Sequence, residues 1–253
     1  MLVDANVKKS DLPDFIPGIY NYCDRWCERC NRQQQCISFV MEKKVEEKAC
    51  LNELKEGENE WWGHMEHVFE STHELLREVA EERGMQVDEI CLSEQADAQF
   101  AQNVFEHVEQ EEAIYMQLES CDILKMCKTY EYWGGCCIDH FSPYMEQEAY
   151  EHAEEIEIVT WYLDLIQLKM RRALYSKAIL DAGGRLGEEY EGSVKVALLA
   201  IDDSLVAWRK MKDFYPDYSR EIMHLEVMLH QIQVDIEQEF PTARQFVRPG
   251  LDE

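Results

Sequence analysis

At 253 residues, 46% hydrophobic and 30% charged, the chain has the composition of a globular protein with a sizeable core, not of a disordered or fibrous one. Asp and Glu outnumber Lys and Arg by 52 to 25, a formal charge of −27. A field of that sign repels phosphate backbones and anionic headgroups, so neither nucleic acid nor a membrane surface is an expected partner.

Met1 to Leu12 carries two lysines and no apolar core, so no secretory signal is expected there. The cysteine region that follows Pro13, Pro17 and Gly18 runs into a helix ending near Leu54. Asn59 is placed to cap a helix from Glu60 to Glu82, stopped at Gly84. Another runs from Ser93 to Tyr130 and closes at Gly134-Gly135. Ser142-Pro143 has the chemistry of an N-cap and first helical residue, opening a long helix to Ala182 that Gly183-Gly184 and Gly187 end. Ser193 is placed to cap a helix to Asp213, and Pro216 opens a last one that Pro241 closes. The apolar stretch Ile156 to Met170 is interrupted by Glu157, Asp164, Gln167 and Lys169, which rules it out as a membrane span. Period-two strand patterns are absent. The expectation is all-α: one domain over residues 1–253, a bundle of about six helices. Residues 12–40 form its metal-binding segment, packed on the bundle, and 241–253 its C-terminal tail.

With no export signal the expected compartment is the reducing cytoplasm, where ten cysteines point to metal or thiols and not to disulfides. Four of them, Cys23, Cys27, Cys30 and Cys36, are spaced C-x3-C-x2-C-x5-C. Four soft ligands in so short a run suit tetrahedral zinc or a 4Fe–4S cluster. Cys23, Cys27 and Cys30 stand at i, i+4 and i+7, so one helical face is expected to present all three. Four thiolates round either centre leave a charge of about −2. Arg25, Arg29 and Arg32 are near enough in sequence to offset it, and Phe15, Tyr20, Tyr22 and Trp26 to exclude water. Structural zinc commonly pairs two C-x2-C knuckles across a longer gap, and here there is one knuckle. The inner C-x2-C-x5-C resembles the cluster-binding cysteines of iron–sulfur nucleases and of radical-enzyme auxiliary-cluster domains. The expected cofactor is therefore a 4Fe–4S cluster, with zinc as the alternative. The opening C-x3-C-x2-C also resembles the radical S-adenosylmethionine motif, which sits on a parallel α/β barrel that this helical pattern does not offer.

The run Leu12-Pro-Asp-Phe-Ile-Pro-Gly-Ile-Tyr-Asn-Tyr-Cys-Asp-Arg-Trp-Cys-Glu-Arg-Cys30 resembles the N-terminus of an uncharacterised family of bacterial all-helical proteins. Gly192-Ser-Val-Lys-Val-Ala-Leu-Leu-Ala-Ile-Asp-Asp-Ser204 and Phe246-Val-Arg-Pro-Gly250 are similar to it as well. The resemblance implies no activity. Where similar sequences tend to have a proline after the third cysteine, this chain has Asn31.

Helical bundles also build di-iron sites from Glu and Glu-x-x-His pairs. Glu70/His73 and Glu221/His224 have that spacing, but a chain with 36 glutamates supplies such pairs by composition, and both fall off the apolar faces of their helices. A better inward set for a second metal is His107 and Glu111 with Glu148, His152 and Glu155, against the reading that these first turns lie in solvent. Asp164, Lys195 and Asp202 are expected in ion pairs with Lys169 or Arg172. The loop Trp133-Gly-Gly-Cys136-Cys137-Ile-Asp-His140 offers two thiols and an imidazole, and His64/His67 form a one-turn surface pair. No phosphate loop or nucleophile elbow occurs. Three functions stay open: a cluster-holding protein of electron-transfer type with a basic or redox partner, a carboxylate/His metalloenzyme, and a zinc-stapled acidic interaction module.

Overall fold

The computed structural model describes residues 14–43, 113–145, 153–181 and 189–252. Among them every regular element is helical and none is a strand. Four long helices carry the fold: α1 (Asp122–Met145), α2 (Ala153–Asp181), α3 (Glu189–Phe214) and α4 (Ser219–Glu239). Shorter helical pieces lie at 37–43 and 113–119. The helix expected from Glu60 to Glu82 and the pair His64/His67 lie outside the described residues. Of the described chain, residues 14–20 and 27–43 belong to one compact unit, and residues 21–26 and 113–252 to another.

In the second unit apolar residues recur three or four apart, which puts them on one stripe of each helix. On α2 the buried set is Ile156, Val159, Leu163, Ile166, Met170 and Ala173; on α4 it is Ile222, Leu225, Leu229, Ile232 and Ile236. Each fully buried Leu or Ile contributes about 1.5–3 kcal/mol. The helices pack in a ring, α1 on α2 and α4, and α3 on α2 and α4. Tyr130, Phe141 and Trp208 are fully buried, and the Trp208 Nε1–H donates to Tyr130 Oη at 3.0 Å, which leaves neither polar atom orphaned. No described helix is long and apolar enough to cross a membrane.

Three expected boundaries differ. The helix expected to end near Tyr130 instead breaks at Ser120-Cys121, and α1 runs straight through Gly134-Gly135. Neither glycine has the positive φ of a helix stop; Gly18 and Gly250 do. Pro143 stays inside the last turn of α1 and does not open α2. Tertiary packing overrides the local signal here: Phe141, two residues earlier, is fully buried and stacks on Tyr215 at 4.5 Å. Ser193 is not a cap either. It is buried within α3, and its Oγ has no hydrogen-bond partner among the described residues.

The chain after α4 folds back along α3. Lys195 Nζ donates to the Phe246 carbonyl and, at 2.6 Å, to Asp252 Oδ2. Arg248 holds the same carboxylate through Oδ1 at 2.7 and 2.9 Å. Arg244 bridges Asp202 at 2.8 Å and Glu237 at 2.5 Å. Lys195 and Asp202 are thus paired with the tail, and not with Lys169 or Arg172 as the sequence suggested. Asp164 is exposed.

Candidate metal centre

Cys23, Cys27, Cys30 and Cys36 are all described, each half-buried, and none forms a disulfide. They do not share the expected helical face. Arg25, between the first two, takes a left-handed backbone with φ 60, which a helix does not accommodate. Cys27 then opens a single 3-10 turn, Cys27–Arg29.

Residues 21–26 are fastened to α2 by one stripe of its side chains. Trp161 Nε1–H donates to the Asp24 carbonyl at 3.1 Å, and Tyr162 Oη donates to Asp24 Oδ2 at 3.1 Å. Two and three turns on, Lys169 Nζ donates to the Cys23 carbonyl at 2.6 Å and Arg172 to Asn21 Oδ1 at 3.2 Å. Asp24 Oδ1 accepts the Trp26 N–H at 3.0 Å, closing a local turn that holds Arg25 in its left-handed conformation. Trp26 is buried and stacks on Trp161 at 5.1 Å, with its rings inclined by 19°. On the other side Tyr22 packs against Phe246 of the tail at 5.0 Å. Both rings lie over Gly192, where an added Cβ would run into Tyr22 and stand 2.9 Å from Phe246.

Lys169 is the one lysine buried among the described residues. Burial pulls its ammonium down to about 8, with Cys23 holding it up and Arg172 and Arg25 pressing it down. A positive charge is thus built in beside Cys23. Arg25, Lys169 and Arg172 border a groove of about 950 Å³, whose other lining residues on α2 include Glu157, three turns earlier.

Residues 27–43 have their own bonding. The Arg32 backbone N–H donates to Cys30 Sγ at 3.3 Å. Gln33 Nε2 donates to the Cys27 carbonyl at 2.5 Å, and Ile16 N–H to the Gln35 carbonyl at 3.0 Å. The Cys36 carbonyl accepts the Val40 N–H at 3.1 Å, placing Cys36 at the head of the helix at 37–43.

By donor type these residues suit a soft metal or cluster: four thiols, an amide aimed at sulfur and a cation beside Cys23. By arrangement they do not yet form one, since no three His, Cys, Asp or Glu side chains among the described residues come together as a metal-holding group.

Of the second candidate set, His107, Glu111, Glu148 and His152 lie outside the described residues. Glu155 is buried and receives Lys210 Nζ at 2.9 Å. Cys136, Cys137 and His140 sit on α1 and not in a loop, and they border a cavity with Glu221 and His224 of α4. The α2 stripe that holds Asn21, Cys23 and Asp24 was not foreseen as a unit, although the spacing of Trp161, Lys169 and Arg172 along one helix face is its signature.

Compared with protein-family models, curated proteins and solved structures, the chain has no match in any of the three.

Proposed function

We propose that this protein holds one metal centre through Cys23, Cys27, Cys30 and Cys36, and that the centre is a 4Fe–4S cluster with zinc as its competitor. The observation that carries the reading is the C-x3-C-x2-C-x5-C spacing in a segment whose four cysteines form no disulfide. The Arg32 N–H on Cys30 Sγ and the buried Lys169 beside the Cys23 backbone add support, because a backbone donor and a cation placed there would offset the anionic charge of a four-thiolate centre. The bound cluster would supply one-electron chemistry or a fixed crosslink. A charge of −27 would select a basic surface on any redox partner.

The test is purification without oxygen, followed by iron, sulfide and zinc analysis and a visible spectrum. Iron and sulfide at about four each per chain, with absorbance that bleaches on reduction, is the expected result. It should vanish in Cys30→Ser and Cys36→Ser. Zinc alone, at one per chain and lost in the same variants, replaces the cluster with a staple. Metal-free folded protein with four titratable thiols in the segment refutes the proposal.

A further inference from the structure

Helices α1 and α4 border a cavity of about 630 Å³, in the size range of sites for small organic molecules. Its outer wall is apolar and accessible, with Trp133 55% and Val227 63% exposed. His140 and Tyr218 also line it, their rings stacked on each other at 6.0 Å and 27°. Among the described residues that line it, Glu221 is the one carboxylate, and none is a lysine or arginine, although His140 and His224 are there. The Glu221 charge reaches the floor. The buried Cys137 thiol is pushed up to about 11, mainly by burial and further by Glu221 and Cys136, so it stays a neutral thiol at pH 7.

Each alternative occupant meets an obstacle. An anion faces the Glu221 carboxylate in a chain of charge −27. A neutral apolar molecule would desolvate that carboxylate without pairing it. A bare metal ion finds no group of three ligands among the described residues. An organic cation satisfies the walls and the carboxylate together, since aromatic faces attract a desolvated ammonium.

We propose that this cavity is a binding site for an organic cation with an apolar body, its charge held by Glu221 and the rings of Trp133 and Tyr218. The proposal is independent of the cysteine centre. The probe is phenyltrimethylammonium, titrated into the full chain by calorimetry, with neutral tert-butylbenzene and anionic benzenesulfonate as controls of similar size. Glu221→Gln is expected to weaken the cation about fivefold and Trp133→Ala about threefold, as exposed ion-pair and cation–π contacts do. Both positions are exposed, so the variants keep the fold, which far-UV circular dichroism checks. Asp122→Asn, at the far end of α1 and 92% exposed, serves as the control for diffuse attraction and should change affinity less than about twofold. Binding of the cation alone, weakened by about those factors in the two cavity variants, supports the site. No binding, equal binding of either control molecule, or an Asp122→Asn effect as large as that of Glu221→Gln overturns it.

Discussion

Gly134 and Gly135 are neighbours in the middle of α1, and the structure assigns them opposite responses to the same substitution. At Gly135 an added Cβ meets no atom of the described residues within 4 Å. Alanine there gains helix propensity and removes unfolded-state entropy, which together stabilise by about 1 kcal/mol. At Gly134 the same methyl runs into Leu163 of α2, a buried side chain at the α1–α2 contact. Overpacking of that kind costs about 1–3 kcal/mol, so the propensity gain is cancelled or exceeded and the net effect is 0 to about 2 kcal/mol of destabilisation. The two variants should therefore differ by about 1–3 kcal/mol, or several degrees in Tm at about 2–4 °C per kcal/mol. Urea unfolding followed by far-UV circular dichroism measures both. If Gly134→Ala stabilises as much as Gly135→Ala, Leu163 does not press on α1 and the packing of these two helices is wrong. If Gly135→Ala destabilises, α1 does not run through the pair.

Tyr130→Phe should cost about 1–3 kcal/mol, because it strands the buried Trp208 indole N–H without an acceptor; urea midpoints check this, and an unchanged midpoint refutes the bond. Cys127 should resist iodoacetamide in the native state at pH 8, since burial pushes its thiol up to about 12; peptide mapping showing it alkylated as fast as the half-buried Cys121 would contradict the placement. At Asp252, burial alone would raise the pKa, but the bonds from Arg248 and Lys195 outweigh it and hold the carboxyl well below its usual range. A group lowered in this way stabilises fully above the unfolded carboxylate pKa of about 4 and loses that contribution as pH falls below it. Asp252→Asn should thus destabilise by about 1–3 kcal/mol at pH 7, with the gap to the parent protein steady down to about pH 5 and closing under pH 4.

The helical class was legible because α2 and α4 carry their apolar residues at an unbroken three-and-four spacing, which strands do not share. Boundaries were less legible, and each miss has a cause. Gly134-Gly135 looked like a stop because glycine favours left-handed backbone, whereas Gly134 is small to let Leu163 approach. Pro143 looked like a start because its ring suits a first turn, yet the buried Phe141 carries the helix past it. At the cysteines, the sequence spacing assumed a helix, and the Asp24 turn with Arg25 at φ 60 removes it. No periodicity rule reports a turn of that kind, because it depends on Trp161 and Tyr162, more than a hundred residues away, holding Asp24 in place.

The contact of Tyr22 with Phe246 also sets an order of events during synthesis. At the usual elongation rate of 5–20 residues per second, Phe246 leaves the ribosome roughly 11–45 s after Tyr22. The α2 side of the seat round Cys23 is available once Asp181 has emerged, 65 residues before Phe246, and the tail side only after Phe246. Before α2 emerges Cys23 stands without this support, and afterwards Lys169 can hold its carbonyl.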